Sequence, residues 1–240
     1  MPLPYLPHDS QKPLRICVAG STDRTDDVES ILREALLRIK QEYGEKISFV
    51  FFGVSPQCAT ELEATSIPFC NSYDDYRRIM NELEADIGLA PMPDTAFHAC
   101  KHYNKFVEYA AANIVGIFSA VKPYDRLERQ FGWQLMCSNT ADCWHDAIVY
   151  LIEHPKELDR LKKELAGLTE KQLSLREIAR SLLNHLDALP VQVQPQRLSL
   201  ISFGLLRSKT LAIQFSKGLK RYGIIGSLVV LQKKLGFKKA

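Results

Sequence analysis

Residues 85–119 read ADIGLAPMPDTAFHACKHYNKFVEYAAANIVGIFS, and this stretch decides the fold. Residues 86–91 form a short apolar run stopped by Pro91 and Pro93, neither of which can continue a hydrogen-bonded ladder. Residues 101–112 contain helix formers and no breaker, and Asn113, tolerant of left-handed geometry, is placed to end the helix. Residues 114–119 are the next apolar run. Strand, loop, helix and strand make one βαβ unit, which implies a parallel sheet. Ligands of such sheets bind at the carboxyl ends of strands, beside helix N-termini, so the loop after residue 90 is the candidate site.

Charge on the expected helix follows a pattern. Lys101, Lys105 and Glu108 stand at i, i+4 and i+7, on one face, with about 10 Å of rise at ~1.5 Å per residue. A lysine in a first helical turn opposes the macrodipole by roughly 0.3–1 kcal/mol. An anion held by Lys101 and the helix N–H groups would offset that cost. The same pattern also describes a solvated face carrying an ordinary Lys105–Glu108 pair. Both readings stay open on spacing alone.

Working outward, 14–19 is a β-rich run followed by Gly20-Ser21-Thr22 and a helix over 26–43 that Gly44 ends. Strand, glycine, helix is the shape of a phosphate-approach loop, yet one glycine is not G-x-G-x-x-G and also fits an ordinary turn. Residues 47–52 and 67–70 read as strands, 73–84 as a helix, and 135–138 as a last strand. Asn139 or Thr140 starts a helix over 141–153 that Pro155 stops; 156–168 and 171–189 have helical spacing. About six strands alternating with helices predict a doubly wound, Rossmann-like α/β domain over 14–189, after a proline-stiffened linker at 1–13.

The 240 residues carry a net charge of +3, with 46% hydrophobic and 25% charged residues, ordinary values for a globular chain. That balance hides a split. Residues 188–240 hold ten of the 31 basic residues and none of the 28 acidic ones. The expectation for 190–240 is a basic, partly helical tail, and for 197–240 a docking surface toward anionic membrane or a partner, at about 1 kcal/mol per basic residue near lipid. No nucleic-acid module accompanies it. The longest uncharged run there, 222–232, falls short of the about twenty residues needed to span a bilayer. Six scattered cysteines without C-x-x-C spacing, and no signal peptide at the start, predict thiols in a reducing cytoplasm. His98, Cys100 and His102 lack the glutamate of H-E-x-x-H, and there is no Asp-x-Asp, so no metal is expected. G-x-S-x-G and P-loop motifs are absent.

Asp86-Ile-Gly-Leu-Ala-Pro91, then Phe97 and Lys101, then Lys105-Phe-Val-Glu-Tyr-Ala-Ala111, resemble the donor-binding half of retaining GT-B glycosyltransferases of family 4 (group 1). They are most similar to the bacterial surface-polysaccharide branch, of O-antigen or rhamnan type. The likeness continues through Ser119, Pro123-Tyr124, Gly132-Trp133, Asn139-Thr140, Trp144 and His154-Pro155, over roughly residues 12–165. The resemblance implies transfer of a sugar from a nucleotide-diphosphate sugar, with no cofactor beyond that substrate. Glu108 would hold the ribose hydroxyls, and Lys101 would contact the diphosphate. Gly20 and Ser21 would face the sugar-phosphate, with His102 and Lys105 also in the pocket. Lys101 and Arg24 would stabilise the leaving group, since guanidinium binds phosphate in a bidentate manner. Arg24 equally fits a solvated helix start.

Three positions depart from the family pattern. Cys100 stands where many members carry a first glutamate, His102 where serine is usual, and Asn113, Val115 and Gly116 replace Gly-x-Pro-Val. The resemblance also implies a partner, because GT-B clefts form between two Rossmann-like domains and this chain matches one, so an acceptor-binding domain or subunit is expected. The alternatives are a module that binds nucleotide-sugar without turnover, and a Rossmann-like interaction protein docking through its tail.

Overall fold

A computed structural model of the protein describes residues 5, 7–9 and 11–187. The expectations for 190–240, and for most of the linker at 1–13, lie outside these residues. Strands β1 (Leu14–Ala19), β2 (Ile47–Phe52), β3 (Thr65–Ile67), β4 (Ile87–Ala90), β5 (Val115–Ser119) and β6 (Met136–Cys137) form one parallel sheet in the order β3-β2-β1-β4-β5-β6. Every residue of β4 and β5 is buried. Such unbroken apolar runs are what a sheet covered on both faces requires, and helices supply the cover. The predicted doubly wound α/β fold is the fold observed.

Helix α1 (Thr25–Tyr43) buries Val28, Leu32, Ala35, Leu36 and Ile39, a stripe at helical spacing, and packs on α7 (Ala141–Glu153). Helix α3 (Tyr73–Glu82) starts at Ser72, whose hydroxyl accepts a bond from the Asp75 N–H. Helix α8 (Pro155–Leu168) has proline in its first turn, and its Lys162 reaches Asp86 at the start of β4. That ammonium lies 2.6 Å from the carboxylate, and both side chains are only 6% exposed. The Arg15 N–H and His8 Nδ1 complete the carboxylate's bonding at 3.0 Å each.

Three sequence boundaries need correction. The strand expected over 67–70 ends at Ile67 and begins earlier, because Pro68 has no N–H to pair. The helix expected over 101–112 is two pieces, α4 (Ala96–Ala99) and α5 (Asn104–Ala111). Thr95 caps the first piece by accepting from the His98 N–H, and Tyr103, at φ −77° and ψ 44°, leaves helical geometry to pack edge-on against Phe131. The helix expected over 171–189 begins as a π-helical turn at Thr169–Leu173, and Ser174 then restarts it as α9 (Leu175–Asp187), accepting from the Glu177 N–H. Two short helices, α2 (Cys58–Glu61) and α6 (Leu127–Phe131), were not anticipated. Asn113 takes φ +56°, the left-handed cap expected of it.

One residue locks α5 onto the sheet. Tyr109 is buried, donates its hydroxyl to the Leu89 carbonyl at 2.9 Å, and lies against Gly88. A Cβ on Gly88 would sit 2.7 Å from the tyrosine ring. With Tyr109 fixed inward, its neighbour Glu108 faces the carboxyl end of the sheet, where β1 and β4 part company. Strand order reverses between those two strands, and that is the point at which doubly wound sheets open a crevice.

Candidate functional site

Two loops frame the crevice, and each is held by its own device. After β1 the Gly20 N–H donates to the Phe52 carbonyl at 2.9 Å, drawing the ends of β1 and β2 together. Gly53 makes that approach possible: it has φ +75°, and an added Cβ would lie 2.1 Å from the Gly20 oxygen. After β4 the chain at Met92 is clamped by a polar triangle that runs from buried Ser119 to exposed Asn139. The Met92 N–H donates to Ser119 Oγ at 2.7 Å, Ser119 Oγ donates to Asn139 Oδ1 at 2.6 Å, and Asn139 Nδ2 donates to the Met92 carbonyl at 2.8 Å. The prolines flanking Met92 cannot donate, so these side chains replace the missing ladder.

Between the loops lies a cleft of about 540 Å³, within the range of small-molecule sites. All seven residues singled out from the sequence line it: Gly20, Ser21, Arg24, Lys101, His102, Lys105 and Glu108. Their local settings differ from the expected ones. Lys101 follows α4 in the turn before α5, so it does not share a helical face with Lys105 and Glu108 and opposes no α5 dipole. It reaches the cleft from a loop. Ser21 bonds its hydroxyl to the nearby Asp23 carboxylate. His102 is exposed and pairs its Nδ1 with Asn104 Oδ1 at 2.9 Å. Cys100 is exposed and does not line the cleft.

One end of the cleft is cationic. Arg24 is held by the Pro91 carbonyl at 2.8 Å, by Met92 Sδ at 3.5 Å and by Asp27 at 3.3 Å, a fixed guanidinium rather than a solvated one. Lys101 stands over the Phe97 ring at 4.8 Å. Partial burial, and then the Arg24 charge, hold the Lys101 ammonium below the usual lysine range. Burial, Arg24 and Lys101 push the nearby His98 imidazole down as well. Asp23 and Asp27 offset part of this charge. Cations held close enough to depress one another's protonation are stabilised by an added anion.

A different chemistry occupies the α3–α5 wall. Lys105 Nζ donates to Glu108 Oε2 at 2.6 Å and to Tyr76 Oη at 2.8 Å, and Tyr76 Oη donates to the same Oε2 at 2.7 Å. Tyr76 stacks on Phe52, with centroids 5.1 Å apart and planes 21° apart. Exposed Phe69 and Tyr73 stand at the rim, and Tyr124 is buried in the lining. Sequence reasoning missed Tyr76, Phe69 and Tyr73. The one signal was in α3, whose first turn carries the large aromatics Tyr73 and Tyr76 where polar residues are usual. Ser119 and Asn139 entered only as marks of resemblance, although a serine ending a buried strand already asks for a hydrogen-bond partner. Among the described residues there is no group of three or more metal-ligating side chains, and no helix is long and apolar enough to cross a membrane.

No family model matches the sequence, and no curated protein matches it significantly. Solved structures do share its fold. HepE from Anabaena, crystallised with UDP and glucose, superposes with a TM-score of 0.56 at 11% identity, over 74% of this chain and 49% of its own. A glycosyltransferase from Rickettsia africae gives 0.54 at 13% identity, over 74% and 48%. The C-terminal domain of a glycosyl transferase group 1 family protein from Francisella tularensis gives 0.51 at 13%, over 71% of this chain and 96% of that domain. This chain thus spans about half the length of the first two and nearly all of the isolated domain. Its fold is that of one Rossmann-like half of a GT-B glycosyltransferase.

Proposed function

We propose that this chain binds the donor of a nucleotide-sugar-dependent glycosyltransferase and acts on it together with an acceptor-binding domain. One observation carries the reading. A cationic end formed by Arg24 and Lys101 and a carboxylate, Glu108, line a single cleft at the strand-order switch of a GT-B-type sheet. That spread of charge suits a nucleoside diphosphate, with phosphates at Arg24 and Lys101 and ribose hydroxyls at Glu108. HepE, which shares the fold, was crystallised with UDP and glucose.

In the transfer, the bond from the sugar anomeric carbon to the diphosphate oxygen breaks, and its electron pair leaves on the diphosphate. The acceptor hydroxyl oxygen forms the new bond to that carbon and gives up its proton to the departing phosphate. Arg24, already held in place, and Lys101 beside it meet the charge that develops on the leaving group, and such preorganised charge is where these sites gain most rate. In this reading the acceptor hydroxyl enters on the face from which the diphosphate leaves, so the anomeric configuration is retained. The finer assignment is to family 4, surface-polysaccharide branch, with residues 197–240 docking at the inner face of the membrane. Binding to anionic but not neutral liposomes, lost on deleting 197–240, tests that last step.

The direct test is thermal shift with UDP-, GDP- and dTDP-sugars. A ligand at a hundredfold its dissociation constant stabilises by about 2.7 kcal/mol, so one base should stand out. No shift with any of them would remove the proposal. A second reading, binding without turnover, draws on Cys100: the position where a carboxylate would reach the donor sugar is an exposed cysteine outside the cleft. Donor hydrolysis or transfer on adding an acceptor-domain partner would decide against it.

A further inference from the structure

We propose that Tyr76 is a positioning residue of the cleft, fixing Glu108 so that one carboxylate oxygen is committed and the other is presented to a ribose diol. The inference rests on the donor-binding reading above. Lys105 donates to both Tyr76 Oη and Glu108 Oε2, which leaves the single phenolic proton to point at that same Oε2. Oε2 therefore takes two bonds, while Oε1 takes none among the described residues. A carboxylate held at two points on one oxygen cannot swing, and its free oxygen has a defined direction.

The tyrosine reaches this position because Ser72 caps α3 and the ring lies flat on Phe52. Burial and the Glu108 charge push the phenol's pKa upward, so it stays a neutral donor at working pH. A phenylalanine would keep the stacking and lose the donor. Glu108 would then be held only by Lys105, three residues away on the same helix, a link worth roughly 0.2–0.5 kcal/mol in isolation. Such a carboxylate is free to follow its lysine away from the ligand.

The experiment measures calorimetric binding to the full chain of UDP, GDP, their 2′-deoxy counterparts and inorganic pyrophosphate, for wild type, Tyr76→Phe, Glu108→Gln and the double variant. Wild type should prefer the ribonucleotide to its deoxy form. Tyr76→Phe should weaken the ribonucleotide about tenfold, near 1.4 kcal/mol, while weakening the deoxy form less than about twofold and leaving pyrophosphate unchanged. On the Glu108→Gln background the tyrosine substitution should cost nothing further, since both act through one group. General damage to the fold would weaken all three ligand classes alike, and that result overturns the inference. So does a Tyr76→Phe variant that keeps the ribose preference. If wild type binds no nucleotide at all, the donor-binding reading fails first and takes this inference with it.

Discussion

Replacing Lys101 with alanine should separate binding from folding, and the structure fixes how far. Among the described residues the Lys101 ammonium makes no hydrogen bond or ion pair; it stands over the ring of Phe97 at 4.8 Å, and Phe97 is 70% exposed. A cation–π pair at an exposed site contributes about 0.5–1 kcal/mol. Against it stand partial burial of the ammonium and repulsion from Arg24. These effects oppose each other, so the free protein should change stability by no more than about 0.5 kcal/mol. For a domain of this size that is a melting shift within roughly 2 °C. Binding is another matter. A charge-assisted hydrogen bond to phosphate is worth about 1.5–3 kcal/mol, so affinity for the nucleoside diphosphate that the thermal-shift panel selects should fall roughly 10- to 150-fold. Its nucleoside, which lacks the diphosphate, should bind both proteins equally. Calorimetry with both ligands, beside a thermal melt, gives all three numbers. Unchanged affinity for that diphosphate would take Lys101 out of the site. A melting point lowered by more than about 6 °C would make it a structural lysine instead.

Lys162→Met should destabilise the protein by about 3–5 kcal/mol in a urea titration, because it strands the buried Asp86 carboxylate, and adding Asp86→Asn should recover most of that loss. His98 sets a pH dependence. Its folded pKa lies below the unfolded value near 6.5, so the unfolded chain binds more protons in that window and stability falls as pH drops from about 6.5 through the folded pKa. Pyrophosphate should raise that pKa, which an NMR titration of the His98 ring reads directly. Diphosphate affinity should decline at alkaline pH, as Lys101 loses its proton below the ordinary lysine range. Gly88→Ala should cost about 1–3 kcal/mol by pressing on the Tyr109 ring, seen as a lowered denaturation midpoint.

What the sequence made legible is whatever a short window controls. Buried strands announce themselves as apolar runs, so β1, β2, β4 and β5 fell within a residue of their expected bounds. Asn113 marked the end of α5 through its own backbone preference. The start of that helix was hidden, because it depends on Tyr103 finding Phe131, which lies 28 positions along the chain. Tyr76 was hidden for the same reason: its meaning comes from Glu108 on another helix. The case of Lys101 is the most instructive. A shared helical face was the reason to group it with Lys105 and Glu108, and that face does not exist. The three still line one cleft, because the break between α4 and α5 turns the chain along the crevice rather than away from it. Set outside α5, Lys101 can meet an anion without any movement of that helix. Tyr109 and the Tyr76–Lys105 pair meanwhile keep Glu108 in place. A lysine outside α5 beside a carboxylate fixed on it predicts that Lys101→Ala weakens pyrophosphate and nucleoside diphosphate alike, while Glu108→Gln weakens only ligands that carry a ribose, a contrast that calorimetry reads.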